Sequence, residues 1–99
     1  MDKINRIDWS ELGISSLEHI ISFIAKDSPF YASSFTIKLL DIIDNLIAFP
    51  NYGRIVPEIK DEKIREIIFH NYRIVYQYGN HIITIVYVGH CSKSLPSLN

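Results

Sequence analysis

The stretch "IREIIFHNYRIVYQYGNHIITIVYVGH", residues 64–90, decides the fold. It is rich in β-branched and aromatic residues, its pattern has a period of two, and two short breaks, His70-Asn71 and Gly79-Asn80, interrupt it. Breaks of two residues are typical of tight hairpin turns, and the glycine suits the positive φ that such turns need. The sequence therefore predicts three antiparallel strands, at residues 65–69, 72–78 and 81–89.

Two helical patterns precede these strands. Ser15 and Glu18 have the spacing of a capping box, which predicts that the first helix begins there. Ser28 followed by Pro29 predicts the N-cap and first position of a second helix, which ends in the loop at residues 49–53. The short connection predicts a helical hairpin. Apolar residues at helical spacing mark the buried faces: Leu17, Ile20, Ile21 and Ile24 in the first helix, then Ala32, Phe35, Leu39, Ile42 or Ile43, and Leu46 in the second.

The remaining segments complete an α+β prediction. Residues 4–9 alternate in polarity and form a candidate N-terminal strand, and residues 54–58 form a candidate edge segment in which Pro57 limits pairing. With 99 residues and 47% hydrophobic content, the chain has enough apolar side chains for one core. We therefore expect a single domain over residues 1–99: an N-terminal strand, and an antiparallel two-helix hairpin packed on a three- to four-stranded antiparallel sheet.

The predicted turns also sort the strand residues between the two faces of the sheet, because side chains alternate along a strand. Two helices cover only one face, so the other face is expected to be partly open and to offer a site for another protein. The alternative is that the N-terminal strand and loops cover it. The expected helix face carries Ile67, Phe69, Tyr72, Ile74, Tyr76, Ile83, Ile85 and Tyr87, and the expected open face carries Glu66, Ile68, Arg73, Val75, Gln77, Ile82, Thr84, Val86 and Val88.

Charge and composition exclude several classes of function. Residues 1–50 hold four basic and seven acidic side chains, whereas residues 51–99 hold six and four, for a net charge of −1. The positive charge of this C-terminal half is much smaller than that of the basic face of a general nucleic-acid binder. The start of the chain lacks an apolar signal region and no long uncharged apolar run follows, so we expect a cytoplasmic protein without a membrane segment. One cysteine agrees with a reducing compartment.

Side chains with potential chemistry are few. The four histidines lie at no metal-ligand spacing and no glycine-rich phosphate loop is present, so we expect neither a metal site nor a cofactor. Cys91 follows His90 directly, and neighbours on a strand point to opposite faces, which argues against a catalytic pair.

Three arginines stand out beside the strands. Arg54 lies in the loop from helix to sheet, and Arg65 is expected at the margin of the helix-covered face, reaching solvent or a nearby acid. Arg73 is expected on the open face, diagonal to Glu66. It either forms an ion pair with that glutamate or offers planar donors to a partner's carboxylate or to phosphate.

Four runs of sequence together resemble a known family. They are "FIAKDSPFYASSF" (23–35), "LIAFPNYGRIVPE" (46–58), "IREIIFHNYRIVYQY" (64–78) and "IITIVYVGHCSKSL" (82–95). In this order they are similar to the RelE/ParE superfamily of bacterial toxins, with the greatest similarity to its ParE-like, plasmid-stabilisation branch. The resemblance covers about residues 4–95, and the β-α-α-β-β-β fold of that family agrees with the elements predicted above.

The resemblance implies a growth-arresting toxin whose cognate antitoxin folds a disordered C-terminal segment onto it. Two mechanisms divide the family. RelE-like members cut messenger RNA in the ribosome, whereas ParE-like members bind DNA gyrase and trap it on broken DNA. The resemblance also allows an inactive toxin homologue that serves only as an antitoxin-binding module.

The residues favour the ParE-like branch. The arginine of the RelE-like Y-R motif is present as Arg73, but the other functional positions differ: Ile64 and Glu66 replace two lysines, His90 and Cys91 replace a lysine and an arginine, and the terminal tyrosine falls near Ser97. A RelE-like site would have only Arg73 and His90 as catalytic candidates. The candidate target- or antitoxin-binding residues are Arg54, Arg65, Arg73, Tyr72, His90 and Lys93.

Overall fold

The computed structural model describes residues 3–98, which form two helices on one mixed sheet. The sheet has the order β1-β5-β4-β3-β2, in which β1 runs parallel to β5 and all other neighbours are antiparallel. This confirms the predicted α+β class, and the candidate N-terminal strand and the candidate edge segment both join the same sheet. The elements are β1 (Arg6–Trp9), α1 (Glu11–Asp27), α2 (Pro29–Asp44), β2 (Arg54–Ile55), β3 (Ile64–Phe69), β4 (Tyr72–Gly79) and β5 (Ile82–His90).

Helix α1 begins earlier than the capping-box pattern predicted. Its N-cap is Ser10, whose Oγ accepts a hydrogen bond of 3.0 Å from the Gly13 amide. Ser15 instead lies inside the helix, where its hydroxyl donates to the Leu12 carbonyl. The prediction was wrong because Ser10 directly follows β1, and an N-cap there satisfies the first free amides of the helix.

Helix α2 begins where the sequence predicted but ends at Asp44, earlier than the predicted end in the loop at residues 49–53. Ser28 caps it by accepting a hydrogen bond of 3.1 Å from the Tyr31 amide, and Pro29 is its first residue. Of the two alternatives for its buried face, Ile43 is almost fully buried and Ile42 is only partly so. The helices pack their apolar faces on the sheet, around a core that includes Phe35, Leu39, Ile74, Tyr76 and Ile85.

The two hairpin turns differ in the number of residues that have a positive φ. His70 has φ 54° in the first turn, and Asn80 and His81 have φ 52° and 64° in the second. Gly79 belongs to β4, and no described glycine has a positive φ, so the predicted role of Gly79 was wrong. Asparagine and histidine are among the side chains that tolerate this conformation best.

An irregularity in the β4–β5 pairing changes the predicted faces. Val75 pairs with Tyr87, but Tyr76 pairs with Ile85, so β5 contains one extra residue at this point. A bulge of this kind reverses the side-chain alternation beyond it. Tyr87 consequently lies on the face away from the helices, and Val88 lies in the helix-side core, the reverse of the predicted assignment.

Loops cover much of the face away from the helices, as the alternative prediction allowed, although Ile68 on this face remains 49% exposed. Val56, Val75, Val86 and Tyr87 form a second buried cluster there. The cover is not the N-terminal strand, which extends the sheet as β1, but segments before β3 and after β5. The partly buried side chains that pack on this cluster are Leu12, Ile59, Ile64, Leu95 and Leu98.

Considering residues 3–98, neither helix combines the length and the apolar character that crossing a lipid bilayer would need.

Candidate functional site

A buried ion-pair network lies on the face that was predicted to be open. The Nη1 of Arg73 donates to Glu58 Oε2 at 2.8 Å and to Glu66 Oε1 at 3.3 Å, and its Nη2 donates to the Lys93 carbonyl at 3.1 Å. Arg54 donates from Nε to Glu66 Oε2 at 2.7 Å. The side chain of Glu66 is 0% exposed and that of Arg73 is 7% exposed. The predicted ion pair between Arg73 and Glu66 is therefore present and has little contact with solvent.

The network holds its groups in their charged forms. Burial disfavours the guanidinium of Arg73, but its hydrogen bonds to Glu58 and Glu66 outweigh this effect, and the pKa of Arg73 lies above its ordinary value. The hydrogen bond from Arg73 lowers the pKa of Glu58 below its ordinary value of 4.5. Both shifts favour the paired state at neutral pH.

The lowered pKa of Glu58 predicts a contribution to acid sensitivity. Because the folded state favours the ionised carboxylate, its contribution is fully present above the ordinary pKa of 4.5 and is lost as the pH falls through the lower, folded-state pKa. The Glu58→Gln protein should therefore lose less stability on acidification than the wild type. The measurement is the urea concentration at the midpoint of unfolding, at a series of pH values from neutral downward. Glu62→Gln, at an exposed position outside the network, is the control. Equal acid sensitivity of wild type and Glu58→Gln would contradict the assignment.

The loop that carries Arg54 is anchored by a buried tyrosine. The Tyr76 hydroxyl donates to the Pro50 carbonyl at 2.7 Å and accepts from the Gly53 amide at 2.9 Å. Burial raises the pKa of Tyr76, so the hydroxyl keeps its proton for the first of these bonds. Arg65 donates to the Gly53 carbonyl at 3.0 Å and lies over the Tyr78 ring. Arg65 was expected to reach solvent or a nearby acid. It instead donates to a backbone carbonyl at the margin of the sheet.

A second feature, which we call the α1–β5 groove, lies between helix α1 and the end of β5. It is a half-open cavity of about 540 Å³, a size within the usual range of ligand pockets. It brings together the predicted site residues Tyr72, His90 and Lys93. The rest of the lining is Ser15, Ser16, His19, Ile20 and Phe23 from α1, with Tyr87, Val88, Gly89 and Ser92.

The ring of His90 is held in one orientation. Its Nδ1 accepts a hydrogen bond of 3.0 Å from the Ser92 amide and lies 2.7 Å from the Ser92 hydroxyl. The Tyr72 ring meets it edge-on at 5.4 Å between centroids. Because a backbone amide is always a donor, Nδ1 must be the acceptor, and the neutral ring carries its proton on Nε2. His90 therefore brings a hydrogen-bond donor to the groove.

The structure thus divides the six predicted binding residues into separate groups. Arg54 and Arg73 belong to the ion-pair network, Arg65 lies near Tyr78, and the other three line the groove. Sequence reasoning missed the α1 wall of the groove, although Ser15, His19 and Phe23 recur every four residues on one helix face.

The single cysteine lies apart from the network and the groove lining, and the potential metal ligands among the described residues are not grouped. Among residues 3–98, no three histidine, cysteine, aspartate or glutamate side chains are grouped as they would be around a metal ion. Cys91 is a free, exposed thiol just beyond the end of β5.

Comparison with known proteins agrees with these elements. The family model described as "ParE toxin of type II toxin-antitoxin system, parDE" matches residues 7–95. No curated protein matches the chain.

Two solved structures share the fold. One, from the chromosomal ParDE TA system of P. aeruginosa, has a TM-score of 0.71 and 13% identity, over 89% of this chain and 96% of that one. The other, a free-state variant of E. coli toxin RelE with two arginines replaced by alanine, has a TM-score of 0.54 and 16% identity, over 93% of this chain and 86% of that one. Because the family model spans nearly the whole sheet and both helices, the chain belongs to the ParE toxin family of type II toxin-antitoxin systems.

Proposed function

We propose that this ParE-type toxin arrests growth by inhibiting DNA gyrase in the cytoplasm, that a cognate antitoxin neutralises it, and that it does not cleave messenger RNA. The choice of mechanism rests on the burial and the pairing of the Arg73 side chain. This is the one arginine that matches the RelE-like nuclease pattern, and its side chain is buried between two carboxylates.

A nuclease would need that cation for its substrate. Stabilising the charge that develops on a phosphate requires donors aimed at the phosphate from an accessible site. Both terminal nitrogens of Arg73 already donate to groups of this chain. Glu66, at a position where the RelE-like pattern has a lysine, adds negative charge beside it. These contacts support a mechanism without RNA cleavage.

His90 does not complement Arg73 as a second catalytic group. Tyr72 pairs with His90, and Arg73 pairs with Gly89, so the side chains of Arg73 and His90 project from opposite faces of the sheet. A general acid or base and a phosphate-binding cation must meet at one reacting centre. This arrangement also favours gyrase inhibition over the alternative of a RelE-like ribosome-dependent endonuclease.

Exposed apolar residues on the helices support a protein partner, which we propose to be the antitoxin. Large aromatic side chains that stand mostly exposed are candidates for burial by a partner. Phe30 and Tyr31 are neighbours in the first turn of α2 with 86% and 49% exposure, and Phe23 of α1 is 63% exposed. The P. aeruginosa structure is likewise of a ParDE toxin-antitoxin system.

Expression and biochemical assays test the proposal. Induction of the chain alone should stop growth, and co-expression of the protein encoded by the adjacent open reading frame should restore it. The purified chain should block supercoiling by gyrase and leave messenger RNA intact in a translating ribosome extract. Cleaved message with unaffected gyrase would contradict the mechanism. Normal growth of cells that contain the folded chain would instead indicate an inactive homologue that binds only its antitoxin.

A further inference from the structure

Strand β1 forms one outer edge of the sheet. It neighbours only β5, because the strand order ends with it. Helix α1 follows β1 but turns inward over β5, so that a Cβ on Gly13 in its first turn would collide with the Ile85 carbonyl oxygen. The opposite edge, β2, has only two residues and is followed by Pro57, which limits its pairing. Among residues 3–98, β1 is therefore the longer free edge, and such an edge is a template for another strand.

The pairing with β5 determines which backbone groups of β1 point outward. Trp9 lies opposite Ile85, and the Ser10 amide donates to the Ile85 carbonyl at 3.0 Å. In a parallel pair, residues that bond to the neighbouring strand alternate with residues whose N–H and C=O point away from it. The residues that bond to β5 are therefore Asp8 and Ser10. The N–H and C=O groups of Ile7 and Trp9 point away from the sheet.

Two opposite charges flank Ile7. Arg6 and Asp8 form an ion pair of 3.0 Å between Arg6 Nε and Asp8 Oδ1, and their side chains are 64% and 44% exposed. Ile7 and Trp9 pack against the core on the helix side, so Arg6 and Asp8 lie on the other face. Charges on an edge strand ordinarily prevent edge-to-edge pairing. Here the order basic, apolar, acidic is complementary to itself when a second strand runs in the opposite direction.

The charges select one antiparallel register between two copies of β1. A two-fold axis at Ile7 places Arg6 of each copy opposite Asp8 of the other. An axis at Arg6 or at Asp8 would instead place like charges opposite each other, which is destabilising. With the axis at Ile7, the outward N–H and C=O groups of the two Ile7 residues can bond to each other. The charged pairs then occupy the non-bonded positions, where side chains lie closest.

We propose that this chain self-associates through β1, forming a symmetric dimer in which two five-stranded sheets join into one. The occupant of the free edge is a second copy of the chain. Mutual backbone bonds at Ile7 and two Arg6–Asp8 pairs hold the copies together. Because few residues take part, the buried area is small and association is expected at high protein concentration. The inference uses only the geometry and charge of β1 and does not depend on the proposed function.

Charge-exchange variants of the full chain test the register. Asp8→Arg makes both flanking charges positive and should weaken association by at least about tenfold, measured by sedimentation equilibrium. The double change Arg6→Asp with Asp8→Arg keeps the complementarity and should restore association. Asp41→Arg makes the same substitution on the exposed surface of α2 and should leave association unchanged.

Two further measurements locate the interface. Arg6→Asp makes both flanking charges negative, so this protein should be monomeric alone but should form heterodimers when mixed with the Asp8→Arg protein. Hydrogen exchange at the Ile7 amide of the wild type should slow as the protein concentration rises, because that amide gains an acceptor. The Asp8 amide, which faces β5, is the internal reference.

Three results would overturn the proposal: a wild-type chain that is monomeric at millimolar concentration, a dimer that Asp8→Arg leaves intact, or concentration-independent exchange at Ile7. Slower exchange at Ile7 only in the presence of the antitoxin would assign the edge to that partner and would equally contradict a dimer. Circular dichroism checks that each variant is folded. If one single variant does not fold, the double change and the exchange measurement still decide the outcome.

Discussion

Glu66→Gln is expected to lower the free energy of unfolding by about 3 kcal/mol or more. Glu66 is a fully buried carboxylate that accepts hydrogen bonds from both Arg54 and Arg73. Without its charge, the buried guanidinium of Arg73 keeps only Glu58, whose side chain is 48% exposed, as a charged partner. Urea denaturation followed by circular dichroism measures the change.

Two further variants separate the buried charge from the other interactions of the network. Glu58→Gln removes a solvent-exposed partner and should lower the stability at neutral pH much less than Glu66→Gln does. The double change Glu66→Leu with Arg73→Met replaces the buried pair by apolar side chains and should recover most of the lost stability. A Glu66→Gln protein as stable as the wild type would show that the network does not hold Arg73. Because Arg73 is buried in this network, a substitution of Arg73 alone is expected to change the stability of the fold in addition to any contact with a target.

Gly13→Ala is expected to destabilise the fold by about 3 kcal/mol, although alanine is the better helix former. Gly13 lies buried in the first turn of α1, and a Cβ at this position would lie closer to the Ile85 carbonyl oxygen than a van der Waals contact allows. That oxygen belongs to the backbone of a core strand and also accepts a hydrogen bond from the Ser10 amide, so it cannot move freely. The helix would have to lift from the sheet. Thermal or urea denaturation measures the loss.

The predicted sign of the stability change is opposite to the one that helix propensity alone gives. In an exposed helix position, Gly→Ala stabilises by about 0.5–1 kcal/mol. Ser15→Ala, two residues further along α1 and exposed, is the control for helix propensity and should be neutral or slightly stabilising. A Gly13→Ala protein that is more stable than the wild type would mean that α1 does not approach β5 this closely.

Local sequence patterns predicted the elements that depend on short-range physics. The period of two and the two short breaks predicted β3, β4 and β5 to within one residue at each end. Ser28 and Pro29 predicted the start of α2, because capping and the missing proline amide act within one helical turn. The family resemblance, carried by the same segments, is confirmed by the family model.

The candidate site was predictable only in part. Tyr72, His90 and Lys93 were expected at a binding surface, and the structure brings them together in one groove. Their partners on α1 come from at least 49 residues earlier in the chain, and no local pattern links the two segments. Arg73 was correctly paired with Glu66 as one of two alternatives, but Glu58 was missed, because the segment before β3 folds back over the sheet.

The sequence by itself determined strands β3 to β5, the start of the second helix, the α+β class and the family, because these follow from the spacing of apolar, turn and capping residues along the chain. Only the tertiary structure decided where α1 begins, which face Tyr87 and Val88 occupy, and how much of the second face of the sheet is covered. Those features depend on contacts between distant segments. One extra residue in β5 reverses the side-chain alternation, and a few apolar side chains from the segments before β3 and after β5 bury a surface that periodicity alone leaves open.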